Sequence, residues 1–419
     1  AGRPRPRAAA GAAGLSPPPP PRGRARATAM TPPTAADAVV HARYLLPMDP
    51  PATVLTDCAV AIRHGRIAAV MPSAQARAGL VAHEVIERPR HALLPGLVNP
   101  HGHAAMTLLR GATAGHALDD WLRRVVWPAE ARLVDPEFVR IGTTLAVAEM
   151  LLGGITCFAD MYYFPEVAAQ VASRHGIRAR LGLPVIDGRS AWGSGLEEHL
   201  ARGLRLHDEL RDDPLLGTLF ALHSPSITSD ATLARVRALA DQLQLPVMIH
   251  LLESRAERGR EERRHGVGPL QRLERAGLVN ELLVAVHCVH ARGEELARLG
   301  AAGASVVHCP GSNLKLGSGI APLPEMLRHG VGVALGTDGA ASNDSLDLFA
   351  ECRLAALLAS GIGGDPAALP PARALELATL GGARALGLAD ETGSITHGKW
   401  ADLTCLELAG PRTEPVHDV

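Results

Sequence analysis

A chain of 419 residues, 47% of them hydrophobic, carries enough apolar material for one large domain plus a satellite. Its 42 Lys and Arg against 43 Asp and Glu argue against a nucleic-acid polymer or an anionic membrane as the main partner, and no apolar run approaches the roughly 20 residues needed to cross a bilayer. The six cysteines, at 58, 157, 288, 309, 352 and 405, include no Cys-x-x-Cys pair, so neither a thiolate zinc site nor a disulfide scaffold is expected and a reducing cytoplasm fits.

Residues 1–29 are mostly Ala, Gly, Pro and Arg, with no acidic residue and an unbroken run from Pro17 to Pro21. They cannot form a core, and the prolines spoil the amphipathic helix of a transit segment, so a disordered, non-native leader is expected, with Met30 opening the first foldable stretch. Residues 30–91 turn to short strands. Residues 59–62 and 66–70 flank His64-Gly65, which reads as a hairpin. The far end, residues 385–419, has the same texture: 393–395 and 401–406 flank a turn at Gly398-Lys399. The two ends are expected to form one small β-domain around the middle segment, residues 92–384.

That middle segment alternates strand-like and helical runs. The strand candidates are 93–99, 155–160, 179–185, 218–223, 247–252, 283–287, 305–308 and 333–338. The clearest helix spans 136–152, with Asp135 as N-cap, Pro136 at its first position and Gly153-Gly154 as its stop. Eight β/α units predict an α/β fold, a (β/α)8 TIM-type barrel. A doubly wound open sheet is the competitor, but no glycine-rich phosphate loop follows an early strand.

The first barrel strand ends in His101-Gly102-His103. Residues i and i+2 of a strand point to one side, so two imidazoles can aim at one point, an arrangement that suits zinc, iron or nickel. In such barrels the C-terminal strand ends face the active site. Strand four reaches His223, strand five His250, strand six His287 and strand eight Asp338. Singly, each histidine reads as hydrogen-bonded filler and the aspartate as a turn residue. Their convergence on one rim favours a site. His101, His103, His250 and Asp338 would give three nitrogens and one oxygen with room for water, an open catalytic sphere in which a divalent ion lowers the water's pKa. Glu253, three residues after His250, could overhang that site as a proton donor without ligating.

Five segments carry a family likeness: Leu94-Pro-Gly-Leu-Val-Asn-Pro-His-Gly-His103, His250-Leu-Leu-Glu253, His287-Cys-Val-His290, Ser312-Asn-Leu-Lys-Leu-Gly317 and Gly336-Thr-Asp-Gly-Ala-Ala-Ser342. From about Val39 onward the chain resembles the amidohydrolase superfamily, and within it the methylthioadenosine/S-adenosylhomocysteine deaminases and their chlorotriazine-hydrolase relatives. The resemblance implies one zinc or iron ion at His101, His103, His250 and Asp338. It implies Asp338 as the base that takes the water proton, Glu253 as acid to the ring nitrogen, and His287 as the group orienting the hydroxide. It implies no carboxylated lysine, since no lysine occupies a matching strand end. Glu130, in Trp127-Pro-Ala-Glu130, matches the carboxylate that holds ribose hydroxyls, although a solvated helix residue is the plainer reading of it. His223 and Ser342 match positions that touch the nucleoside. Arg178, Arg180 and Arg189 lie near the place where some members carry a substrate arginine, and none falls into register. Family members also continue past the point matching Leu406 into further strands, so the small β-domain is expected to be truncated here.

Three other features have plain explanations. Residues 257–264 mix both charge signs and predict a solvated helix on the outer ring. His308 reads as a rim residue, and Cys288 as filling on the face opposite His287. The expected protein is thus a metal-dependent deaminase of adenine-type nucleosides. Guanine deamination or triazine dechlorination on the same scaffold is the near alternative, and a catalytically silent binding barrel the distant one. Glu130 and the lack of a cationic partner for a 5′ phosphate favour a ribosylated thioether over a nucleotide. A homo-oligomer is compatible with such a barrel, and no segment sets the oligomeric state.

Overall fold

The computed structural model describes residues 35–112, 115–417 and 419; the leader expected at 1–29 lies outside the described residues. Strands β1 (Ala35–Leu45), β2 (Leu55–Arg63), β3 (Arg66–Pro72) and β4 (Val81–Pro95) come first. Then come β5 (Leu97–Asn99), β6 (Ile155–Asp160), β7 (Arg178–Val185), β8 (Leu216–Leu222), β9 (Val247–Leu251), β10 (Leu283–His287), β11 (Ser305–His308) and β12 (Gly332–Leu335), with β13 (Leu403–Glu407) last. These make two sheets: a five-stranded one in the order β13-β4-β1-β2-β3, and an eight-stranded one running from β5 to β12 in sequence order. The second is parallel throughout, with helices between its strands, and curls into a nearly closed barrel.

The small sheet forms as the turn chemistry dictates. β2 and β3 pair antiparallel, and His64 and Gly65 between them both adopt positive φ, 52° and 70°, which suits a two-residue hairpin. The far end differs from expectation. Residues 393–395 form no strand; Ile395 N–H donates to Pro47 O and Gly398 N–H to Ile67 O, so this stretch lies along the sheet as a loop. β13 pairs antiparallel with β4 instead, placing Leu403 opposite Pro95.

The strand expected at 93–99 is in fact two. Leu93 to Pro95 belong to the small sheet and Leu97 to Asn99 to the barrel, with Gly96 between them. A Cβ on Gly96 would sit 1.9 Å from Thr156 Oγ1, so only glycine lets the chain pass from one sheet to the other. An apolar run buried in both sheets reads as one strand because nothing in it marks the break.

Barrel closure needs more than strand ladders. β5 and β12 flank the seam, and Asn99 bridges it: its Nδ2 donates to Thr337 Oγ1 at 2.8 Å and its Oδ1 accepts from Thr337 N at 3.0 Å. Asp338 N–H then donates to His101 O at 3.2 Å, so the seam itself aligns two chemically active segments. Val98, Ala159, Leu219, Met248, Val286 and Val307 fill the interior together with Ala383, Leu386 and Leu388. On the outside, helix Pro136–Leu152 matches its expected bounds; Asp135 accepts the Phe138 N–H at 2.8 Å and Gly153 caps the far end.

Candidate active site

His101 and His103 lie just past β5 in an irregular stretch rather than within the strand, yet their rings meet edge to face with centroids 4.9 Å apart. His250 comes up from β9, with its Nε2 3.3 Å from His101 Nε2. Asp338 arrives three residues beyond β12 and sets Oδ1 3.3 Å from His101 Nε2 and 3.2 Å from His103 Nε2. Second partners fix the rings. His103 Nδ1–H donates to Met161 O at 2.6 Å and His250 Nδ1–H to His223 O at 2.7 Å, so both turn a bare Nε2 inward. Two overlapping groups could hold a metal ion: His101, His103 and Asp338, and His101, His250 and His287.

Burial sets the charges. It lowers the pKa of His101 and of His223 to about 4 and that of His250 well below the usual value, which leaves neutral imidazoles. Burial also resists ionisation of Asp338, but contact with His101 and His103 outweighs it and holds the carboxyl well below the usual carboxylate range. His103 is lowered by burial yet carried up to about 9 by Asp338, an attraction that a cation between them would take over.

Asp338 sits at φ 60° and is locked by three donors: Gly339 N–H on Oδ1 at 2.8 Å, and the Ser312 and Ser342 hydroxyls on Oδ2 at 2.6 and 2.8 Å. Ser342 is therefore buried behind Asp338, and it is not among the residues lining the cleft where a nucleoside contact was expected. Ser312 and its neighbour Asn313, whose Oδ1 accepts from His287 Nδ1–H at 2.9 Å, were visible in the sequence only as part of a motif without roles.

Glu253 is buried beside this cluster, with Oε2 3.7 Å from His287 Nε2 and Oε1 accepting from Ser318 Oγ at 3.3 Å. Burial first, and then the Asp338 charge, raise its pKa to about 8. Behind it stands Glu257, and here the expectation of a solvated helix face fails. Glu257 is 5% exposed and accepts the Leu252 N–H at 3.1 Å and the Glu253 N–H at 2.9 Å. Leu252 at φ 53° turns those two consecutive donors the same way, and the first turn of helix Arg255–His265 faces inward to meet them. The signal was present: Ser254 followed by Glu257 is a helix-start pattern, and Ser254 Oγ does accept the Glu257 N–H at 3.2 Å. His308 and Cys288 are both buried and absent from the cleft wall.

The cleft above these groups is lined by His103, His223, His250, Glu253, His287 and Asp338 at its base. Its upper wall is apolar (Met106, Leu118, Trp121, Leu122, Val126, Ile186 and Leu316) with Glu130 and Tyr162 set into it. Burial raises the Glu130 pKa, opposed by the Tyr162 hydroxyl and by His103. Among the described lining residues there is no lysine or arginine. Arg178, one of the three candidate substrate arginines, turns away to Asp402 at 2.9 Å and to Pro214 O at 2.6 Å.

The model of the amidohydrolase family matches residues 92–418. The chain belongs to that family. Relatives of this amidohydrolase include the 5-methylthioadenosine/S-adenosylhomocysteine deaminase of Teredinibacter turnerae, 43% identical over 93% of this chain and 88% of that one. The protein of the same description from Saccharophagus degradans is 41% identical over 93% and 87%. Among solved structures, an adenosine deaminase from Xanthomonas campestris with bound zinc aligns at a TM-score of 0.91 and 48% identity, covering 93% of this chain and 88% of that one. An atrazine chlorohydrolase from Arthrobacter aurescens, 24% identical with a TM-score of 0.85 over 91% and 89%, shares the amidohydrolase fold.

Proposed function

We propose that this amidohydrolase hydrolytically deaminates adenine-type nucleosides, 5′-methylthioadenosine and S-adenosylhomocysteine foremost, and releases ammonia. The observation that carries the reading is a buried carboxyl, Glu253, placed beside His287 in the imidazole-lined cluster that holds the hydrogen-bonded Asp338 carboxylate, with burial raising the Glu253 pKa and the histidines lowering that of Asp338. The relatives at 43% and 41% identity support it by the substrates in their names.

His101, His103, His250 and Asp338 would hold one divalent ion. The donor set fits, because three imidazole Nε2 atoms and one carboxylate oxygen converge while every opposite ring nitrogen faces a partner, and a bound cation would displace the His103 proton. Zinc is favoured by the Xanthomonas campestris structure, and iron(II) suits the same donors. Bound there, the ion would lower the pKa of a water. Asp338 would be the base for that water's proton, its carboxylate held in place by the Ser312 and Ser342 hydroxyls on Oδ2 and the Gly339 N–H on Oδ1. His287, its Nδ1–H committed to Asn313, presents Nε2 to the incoming oxygen. Glu253 protonates the ring nitrogen beside the amine-bearing carbon. The water oxygen bonds to that carbon, the bond to the amine breaks, and ammonia leaves with the proton it has gained. His223 borders the base, and Glu130 accepts from ribose hydroxyls. The apolar upper wall suits a thioether, and with no lysine or arginine among the described lining residues a 5′ phosphate would find Glu130 in that wall and no long cationic side chain to pair with.

Elemental analysis with an ammonia-release panel tests this. One transition metal per chain is expected, with activity lost on chelation and restored by zinc. Methylthioadenosine should lead adenine and adenosine monophosphate by roughly tenfold or more. Metal-free active protein would remove the metal reading, and guanine or a chlorotriazine as the best substrate would replace the nucleoside one.

A further inference from the structure

Tyr162 follows β6 by two residues, and its backbone is tied to the histidine segment. Met161 N–H donates to Gly102 O at 2.9 Å, Met161 O accepts from His103, and the Asp160 carboxylate accepts the Ala104 N–H at 2.7 Å. The ring thus has a fixed place on the cleft wall, its centroid 6.5 Å from that of His103. Its hydroxyl is buried, the residue only 6% exposed, and makes no hydrogen bond of regular geometry among the described residues, although the Glu130 carboxylate lies close enough to act on it. The charged group acting on it most strongly is Glu130, which lines the same cleft from helix Trp127–Leu133.

Buried polar groups are well paired in nearly all native structures, so a phenol without a well-formed bond in a binding cleft calls for a partner that arrives with the ligand. A phenol and a carboxylate that face each other without a regular bond between them are bridged by a group that both accepts and donates. A hydroxyl accepts through its lone pairs and donates its proton; a thioether, an ether or a methylene cannot. We propose that Tyr162 is a specificity-determining residue that donates to a ribose hydroxyl whose own proton goes to Glu130. The inference rests on the nucleoside reading above and adds a second residue to the recognition of the sugar. Glu130 alone would accept from any donor in range, whereas Tyr162 demands an oxygen at one position.

Tyr162→Phe removes a single oxygen and tests the assignment. Because that oxygen makes no regular hydrogen bond to the protein, the thermal midpoint should stay the same or rise, and metal content should not change. For methylthioadenosine, KM should rise about tenfold with kcat within about twofold. The sharper readout compares kcat/KM for adenosine with those for 2′-deoxyadenosine and 3′-deoxyadenosine. One of the two ratios should fall about tenfold in the variant, since the analogue lacking that hydroxyl never used the phenol. If both ratios kept their wild-type values, or if the midpoint fell and so revealed a structural bond, the proposal would be overturned. Wild-type protein that deaminates no nucleoside would sink the functional reading itself, a separate outcome from retained ratios in an active variant.

Discussion

Two carboxyl groups of one buried cluster are driven to opposite protonation states by what surrounds them. Asp338 receives three hydrogen-bond donors and faces two imidazoles, all of which favour its charge. Glu253 has one weak donor, Ser318, and lies within range of the Asp338 charge, so it keeps its proton. Under the proposed mechanism a base and an acid would therefore coexist at neutral pH without an added device. Glu253→Gln retains shape and hydrogen bonding but cannot act as an acid. Turnover should drop by roughly 10²-fold or more while metal content stays near normal, measured by steady-state kinetics beside elemental analysis. Wild-type turnover in that variant would remove the acid role. The sequence exposed both residues because each sits at a fixed distance past an apolar run. It hid the contrast between them, which depends on Ser312, Ser342 and Gly339 on one side and a bare pocket on the other.

Barrel strands were legible as elements because each is a short apolar run bounded by turn residues, and the bounds of β6, β10 and β11 coincide with expectation. Two misreadings share a cause. The split between β4 and β5 and the inward turn of helix Arg255–His265 are set by contacts distant in sequence, Thr156 against Gly96 and Glu257 beneath a positive-φ loop. Charge patterning placed Glu257 outside because Glu is usually solvated; two aligned backbone donors reverse that preference. Its carboxylate is a clamp on the segment that carries Glu253. Glu257→Gln keeps one acceptor and sets an NH2 against the other donor, so stability should fall by about 1–3 kcal/mol. Displacement of the acid should lower kcat by about tenfold or more, with KM for methylthioadenosine little changed. Chemical denaturation and the kcat-against-KM split check the two halves. A variant that lost stability but kept kcat would reduce Glu257 to scaffolding.

At the scale of the whole molecule, the barrel and the terminal sheet meet where chemistry is absent. Arg178 opens β7 with its side chain 5% exposed, and it is held by Asp402 at 2.9 and 3.4 Å and by Pro214 O at 2.6 Å. Asp402 also accepts from Thr392 Oγ1 at 3.1 Å, and its backbone oxygen takes the Gly96 N–H at 2.7 Å, at the point where the chain crosses between sheets. One ion pair thus pins the entry to the first barrel strand, the second-to-third strand region and the last segment of the chain. Sequence reasoning weighed Arg178 as a substrate contact because it lies near the family's substrate arginine. Arg178 shares its strand face with Pro184 of the cleft wall but sits at the opposite, N-terminal end of β7, and only the distant Asp402 explains why a charge is kept there. Removing one partner of a buried pair strands the other, so Asp402→Ala should cost about 3–5 kcal/mol in urea unfolding. Adding Arg178→Met removes the stranded charge and should recover part of that loss, giving a coupling that a double-mutant cycle reads directly. Because the pair sits at the N-terminal end of β7 and neither partner lines the cleft, specific activity per folded molecule should stay within about twofold in both variants. A large fall in kcat with stability intact would instead mean that the terminal sheet reaches the active site through this pair.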